Sequence, residues 1–166
     1  MENEPKQPFY LGIIAPRVFS TGGYDVDDPL RQSLRENIDA VIKDLQKTQP
    51  FIIGLTGLHN GPEQDFFYLC QNRKIDCHII FPFQKLEEQY KKLPTQLFPC
   101  QENIIKDVLS VKYVSDGIYS PRKMLKKNIR IIQESNAIIM IHSIMTNYSL
   151  LEKALKKKQV YNIYAN

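Results

Sequence analysis

The stretch Phe51-Ile-Ile-Gly-Leu-Thr-Gly-Leu-His-Asn-Gly-Pro-Glu-Gln-Asp65 joins an apolar run to a glycine-containing loop and a segment that begins with proline. The run from Phe51 to Leu55 has the composition of a buried β-strand. Pro62 suits the first turn of a helix, because the N–H that proline lacks has no helical partner there. The order strand, glycine loop, helix is typical of open α/β sheets, whose ligands bind beyond the carboxyl ends of the strands.

The loop of this stretch favours a ribose or base edge as ligand, with a phosphate nearby. Gly57 and Gly61 allow close approach of the backbone, and the N–H groups at a helix start attract anions. Glu63 and Asp65 fall in the first helical turn, where a carboxylate repels phosphate but accepts a ribose hydroxyl. Either acid could instead only stabilise its own helix, and the loop could be a tight connection without a ligand. The glycine spacing fits neither the G-x-G-x-x-G motif nor the P-loop.

The alternation of apolar runs with helix-period segments extends along the chain and predicts its fold class. Apolar runs predict strands at 9–15, 51–55, 75–81, 111–115, 137–141 and 160–164. Helical spacing predicts helices at 30–47, 63–74, 101–109, 121–132 and 148–158. This order indicates one Rossmann-like, doubly wound α/β domain with a mostly parallel sheet and helices on both faces.

Composition sets the organisation and the expected surroundings. With 166 residues, 43% of them hydrophobic, the chain has the size of one globular domain. We predict a flexible N-terminal arm over residues 1–8 and a single domain over residues 9–166. The three cysteines lack metal-ligand spacing and no apolar run is long enough to span a membrane, so we expect a cytoplasmic protein without a membrane partner. Cys70 and Cys77 are expected in the core.

The net charge of +4 comes from two separate basic stretches. The first contains Arg122, Lys123, Lys126 and Lys127, and the second contains Lys153, Lys156, Lys157 and Lys158. They could form a polyanion-binding face or simply solvated helix surfaces, and the usual behaviour of charged helices favours solvation. We therefore do not expect nucleic acid as a partner. The sequence leaves open whether the protein forms a homo-oligomer.

Several strand-end segments carry a resemblance to a known family. They are Arg17-x-x-x-x-Gly22-Gly23-Tyr24, Thr56-Gly57-x-x-x-Gly61-x-Glu63-Gln64-Asp65, Pro82-Phe83, and Tyr119-Ser120-Pro121-Arg122-Lys123-Met124 running through Lys127-Asn128 to Ser135-Asn136. Together, and in this order, they resemble the YpsA-like branch of the SLOG superfamily, Rossmann-like domains related to LOG (lysine-decarboxylase-like) proteins and DprA. The resemblance implies a domain that senses or sequesters a nucleotide-derived ligand of the nucleotide, NAD or ADP-ribose type.

The chain also departs from the family pattern. Ala15-Pro16 replaces a Gly-His pair, and Lys127 replaces an arginine. Ile144-Met145-Thr146 stands where the family has Gly-Gly-Thr, and the two bulky side chains should crowd a phosphate there. The P-G-G-x-G-T-x-x-E motif of the catalytic LOG phosphoribohydrolases is missing, so we expect no such activity. The alternatives are a hydrolase of an N-glycosidic bond and an interaction protein on a degenerate nucleotide-binding scaffold.

The candidate ligand-binding residues combine the loop chemistry with the resemblance. They are Arg17, Gly22, Gly23, Thr56, Gly57, Gly61, Glu63, Asp65, Lys127, Asn128, His142 and Thr146. Arg17 could bind a phosphate or carboxylate in the crevice shared with the Gly57–Gly61 loop, or pair with a loop aspartate. His142 could be a hydrogen-bonded strand end or a base. The sequence assigns no catalytic residue, cofactor or metal site.

Overall fold

Strands and helices alternate along residues 6–16, 21–23, 25–83, 108–118 and 120–165, which are the residues that the computed structural model describes. The elements are β1 (Phe9–Ile14), α1 (Pro29–Gln46), β2 (Ile52–Thr56), α2 (Pro62–Asn72), β3 (Asp76–Phe81), β4 (Ser110–Tyr113), α3 (Pro121–Glu134), β5 (Ala137–His142), a 3-10 turn (Ser149–Leu151), α4 (Glu152–Leu155) and β6 (Gln159–Tyr164). The predicted helix at 101–109 lies outside the described residues except for Val108 and Leu109, which are not helical, and so do the first five residues of the arm predicted at residues 1–8.

The six strands form one parallel sheet in the order β4-β3-β2-β1-β5-β6. Strand β1 is central, with Leu11 opposite Gly54 of β2 on one side and opposite Ala137 of β5 on the other. The predicted Rossmann-like α/β fold is confirmed, and the first two strands are neighbours. The order of the strands reverses between β1 and β5, which is where such sheets form a ligand crevice.

Two apolar layers cover the sheet, because successive side chains of a strand point to opposite faces. Ile139 and Ile141 of β5 join the layer that holds α1 and α2, whereas Ile138 and Met140 join the layer that holds α3 and α4. The first layer also holds Cys70 and Cys77, both buried as predicted. The four central strands β3, β2, β1 and β5 are therefore mostly buried on both faces, and the carboxyl edge of the sheet is left to the loops.

Local chemistry explains where the helices begin. The Asp28 carboxylate accepts hydrogen bonds from the first N–H groups of α1, those of Leu30 and Arg31. Ser120 caps α3 in the same way through Lys123, with Pro121 at the first helical position as predicted. Helix α2 follows Gly61, whose φ of 106° is in the region that favours glycine and which offers no side-chain cap.

The last helix is shorter than its sequence pattern predicts. Instead of one helix over 148–158, the chain forms the 3-10 turn and the four-residue α4. Lys158 donates from its ammonium to the carbonyl oxygen of Ser135, and Gln159 already pairs with Ala137 of β5. The helix ends early because the chain must turn here to enter β6.

Candidate functional site

The loop between β2 and α2 is held by the side chain of Thr56. Its hydroxyl donates to the carbonyl oxygen of Glu63 at 3.0 Å and accepts from the N–H of Leu58 at 3.1 Å. Leu58 has a φ of 54°, a conformation that few non-glycine residues adopt. Thr56 therefore ties the end of the strand to the first turn of the helix and keeps the loop tight.

Gly57 makes room for a side chain from the opposite layer. A Cβ atom at this position would lie 2.7 Å from Cδ and 2.8 Å from Nζ of Lys127, and 3.2 Å from Oε1 of Glu63. Lys127 extends from α3 across this gap, and its Nζ lies 3.0 Å from Glu63 Oε1. The structure thus brings Thr56, Gly57, Glu63 and Lys127 together, and the space beside Gly57 is filled by this lysine.

The Glu63–Lys127 ion pair is buried but incompletely satisfied. The two side chains are 1% and 3% exposed. Lys127 reaches Oε1 only, and Oε2 has no hydrogen-bond partner among the described residues. A buried acceptor without a donor is costly, and more so when it belongs to a charged group. Glu63 therefore presents one oxygen that a hydroxyl or N–H donor would stabilise.

Asp65, two residues further along α2, accepts a hydrogen bond at each of its oxygens. Arg31 of α1 donates from Nε to Oδ2 and from Nη2 to Oδ1, each at 3.0 Å. This bidentate pair is also buried. The structure therefore shows Asp65 in an anchor between α1 and α2, with one hydrogen bond at each oxygen. Its contact with a ribose hydroxyl stays a prediction.

The loop after β1 is attached to the same anchor. Gly22 and Gly23 both have positive φ, 97° and 72°, and a Cβ at Gly22 would lie 2.5 Å from Asp28 Oδ1. Nη1 of Arg31 approaches the carbonyl oxygen of Gly23 at 3.5 Å. Arg17 lies outside the described residues, so its position opposite the Gly57–Gly61 loop stays a prediction.

A second buried acceptor lies on α3, next to Lys127. Oδ1 of Asn128 is inaccessible to solvent and has no hydrogen-bond partner within the described part of the chain. Asn128 is one of the residues that the sequence suggested for ligand binding. Both unsatisfied side-chain acceptors thus belong to helices that begin at the carboxyl edge of the sheet.

The end of β5 forms an aromatic cluster. The ring of His142 stacks on Tyr164 with centroids 4.9 Å apart and meets Tyr148 edge-on at 5.5 Å. Nε2 of His142 lies 2.7 Å from Oδ1 of Asn162. His142 is therefore held as a hydrogen-bonded strand end, one of the two roles that its position allowed.

The turn after β5 is organised by Thr146. Its hydroxyl donates to the carbonyl oxygen of Ser143 and accepts from the N–H of the same residue. Ile144 and Met145 are 95% and 78% exposed. These two side chains therefore point into solvent at the positions where the sequence suggested that they would crowd a phosphate.

Tyr148 and Arg31 are site residues that sequence reasoning missed. The Tyr148 hydroxyl donates to the carbonyl oxygen of Ile141 at 2.7 Å; burial, and then the negative charge of Glu63, raises the pKa of Tyr148. The sequence did contain an indication that Arg31 is buried, since Arg31 lies on the same helix face as the apolar residues Leu34 and Ile38. For Tyr148 the sequence contained no such indication, apart from its position after a strand.

A cleft of about 440 Å³ lies between α1 and α2, and Asp65 lines it together with residues that include Asp39, Tyr68 and Asn72. Within the described ranges, no group of three or more His, Cys, Asp or Glu side chains could hold a metal ion. In the same residues, no helix has both the length and the apolar composition needed to cross a bilayer. The sequence matches no protein-family model and no curated protein.

Proposed function

We propose that this domain binds a nucleotide-derived small molecule at the carboxyl edge of its sheet, with a ribose hydroxyl donating to Oε2 of Glu63. The observation that carries the proposal is the buried Oε2 atom, which has no donor among the described residues. A hydroxyl placed there would make a charge-assisted hydrogen bond in a water-poor site, where such bonds are strongest.

The surroundings of Glu63 suit a ligand that carries both a hydroxyl and a phosphate. Lys127 neutralises the Glu63 carboxylate, so the first turn of α2 repels an anion less than two unpaired acids would. Gly61 leaves the start of α2 without a side-chain cap, and the N–H groups of a helix start attract phosphate. The resemblance of the strand-end loops to SLOG domains favours a nucleotide over other hydroxyl-bearing ligands.

Binding without cleavage is favoured over hydrolysis by the state of the two acids. Glycosidic hydrolysis commonly uses one carboxyl group as acid and a second as base or nucleophile. Asp65 is held at both oxygens by Arg31 and Glu63 is paired with Lys127, so the loop offers no second, unpaired carboxyl group among the described residues of α2's first turn. We therefore propose a sensor or a sequestering protein for the ligand.

Calorimetric titration with AMP, NAD and ADP-ribose tests the proposal. Glu63→Gln should weaken binding roughly ten- to a hundredfold, the usual effect of losing a charged hydrogen bond. The matched control is Glu134→Gln, which removes a partly exposed carboxylate that pairs with Arg130 and Lys112 on the far end of α3. It should bind as the unaltered protein does, and thermal melting checks that both variants fold.

Two results would overturn this function. If none of the three compounds binds at millimolar concentration, the domain does not bind a nucleotide-derived ligand. If the Glu63→Gln variant binds with the same affinity as the unaltered protein, the ligand does not contact Glu63. Chromatography of the same mixtures detects any released base, which would instead support the hydrolase alternative.

A further inference from the structure

The surface formed by α3 and α4 has a charge unlike the rest of the molecule. The two helices pack side by side in one layer. Residues 120–158 contain nine basic and two acidic side chains, a net charge of +7 in a chain whose total is +4. The remaining residues are therefore net negative. The two basic stretches of the sequence meet on one face of the folded domain, although they are far apart along the chain.

Five cations of this face are available to an external partner. We call them the basic surface: Arg122, Lys126, Lys153, Lys156 and Lys157. Each is exposed and has no ion pair or hydrogen bond with any described residue. The other basic side chains of the segment are engaged: Lys123 binds backbone carbonyl groups, as does Lys158, Lys127 binds Glu63, and Arg130 binds Glu134.

Three large aliphatic side chains lie along the same part of the chain. Ile144, Met145 and Leu150 are 95%, 78% and 73% exposed, more than any other large hydrophobic side chain of the described residues. They occupy the segment that connects β5 to α4. Leu150 and Lys153 are three residues apart in helical backbone, which places them on one side of it. Exposed aliphatic groups beside unpaired cations are typical of an interaction site.

We propose that this face docks on an anionic lipid bilayer. The basic surface would lie against acidic headgroups, and Ile144, Met145 and Leu150 would enter the interfacial region. Clusters of four to eight cations are the usual size for such surfaces, and the basic surface has five. The expectation of no membrane partner rested on the missing spanning segment, and docking at a bilayer surface needs none. The proposal does not depend on the nucleotide site.

The aliphatic side chains favour a bilayer over nucleic acid. Proteins that bind single-stranded nucleic acid stack bases on aromatic rings, and contacts to phosphates come from polar and charged groups. Isoleucine, methionine and leucine at this exposure add nothing to such contacts. A lipid interface, in contrast, is stabilised by aliphatic side chains and by lysine together.

Vesicle co-sedimentation of the full chain tests the proposal. The protein should bind phosphatidylcholine vesicles that contain phosphatidylglycerol, should not bind pure phosphatidylcholine, and should be released by salt. Because each cation at such a surface contributes about fivefold in affinity, Lys153→Glu/Lys156→Glu/Lys157→Glu should weaken binding by on the order of a hundredfold. Ile144→Ser/Met145→Ser should increase the sensitivity to salt, since less apolar contact remains.

The matched control is Lys43→Glu/Lys47→Glu/Lys74→Glu, an equal change of charge at exposed positions outside α3 and α4. It should bind anionic vesicles nearly as well as the unaltered protein. The proposal is overturned if this control loses as much affinity for anionic vesicles as the triple variant of α4. It is also overturned if the protein binds both kinds of vesicle equally or binds neither. Binding to RNA or DNA without binding to vesicles overturns it in favour of nucleic acid. A change of oligomeric state in the Ile144→Ser/Met145→Ser variant with undiminished vesicle binding overturns the role given to the aliphatic side chains.

Discussion

Two buried ion pairs start two residues apart in the first turn of α2, and they differ in how completely each acid is satisfied. Asp65 receives two hydrogen bonds from the planar guanidinium of Arg31, one for each oxygen. Glu63 receives one from the ammonium of Lys127, and its second oxygen has no partner among the described residues. The guanidinium matches a carboxylate in shape, whereas an ammonium acts as a point charge. The first pair is therefore a closed structural contact, and the second leaves an acceptor open to a ligand.

A third pair, Asp39 with Arg73, separates the effect of geometry from that of burial. Arg73 donates to both oxygens of Asp39, at 2.6 and 2.7 Å, so it has the same forked geometry as Arg31 with Asp65. Its side chains are 25% and 34% exposed, and water can replace either partner. Comparison of the three pairs thus predicts which substitutions affect folding and which affect binding.

The largest effect on stability is expected from breaking the closed pair, Asp65 with Arg31. Arg31→Ala leaves the Asp65 carboxylate buried and without its partner, which should lower the free energy of unfolding by about 3–5 kcal/mol. Arg73→Ala breaks the same geometry at a half-exposed site and should lower it by about 1 kcal/mol or less. Urea denaturation of both variants measures the difference. Equal losses would show that burial does not set the strength of these pairs.

A smaller effect on stability is expected from disturbing the open pair, Glu63 with Lys127. In Gly57→Ala the added methyl overlaps the side chain of Lys127, which must shift from the position in which it pairs with Glu63. We expect a loss of roughly 1–3 kcal/mol, the usual range for overpacking a buried site. In a Lys127→Ala background the clash is absent, so the same substitution should be nearly neutral. A double-mutant cycle by urea denaturation checks this, and additive losses would contradict the contact.

The difference between the pairs also marks the limit of what the sequence could predict. Apolar periodicity identified all six strands and the helix predicted at 121–132, because a strand or a helix is coded by neighbouring residues. The ion pairs join residues 34 and 64 positions apart, and no local pattern specifies such partners. Glu63 and Asp65 have the same charge and the same place in α2, so their different roles depend on which helix lies opposite each of them.

Replacing the open pair as a whole should change stability less than Gly57→Ala does. Glu63→Met/Lys127→Met replaces both buried charges by apolar side chains of similar volume, and such replacements are often neutral or stabilising. We expect the free energy of unfolding to stay within about 1 kcal/mol of the unaltered protein, while binding of AMP, NAD and ADP-ribose is lost. Thermal melting and calorimetry on the same sample separate the two outcomes. A large loss of stability would assign the open pair to structure as well.

The smallest effect on stability is expected for the partly exposed Asp39–Arg73 pair at acidic pH. The hydrogen bonds from Arg73 lower the pKa of Asp39 below its ordinary value of 3.8, against the opposing effect of partial burial. A carboxyl group whose pKa is lower in the folded state contributes stability above the unfolded pKa and loses it as the pH falls through the folded one. Arg73→Gln should therefore be slightly less stable than the unaltered protein near neutral pH, by under about 1 kcal/mol at this exposure. The difference should narrow as the pH falls below 3.8 and Asp39 takes up a proton. Urea titrations of both proteins across this range measure the narrowing. A difference that persists unchanged in acid would mean that Arg73 acts through packing of its alkyl chain and not through charge.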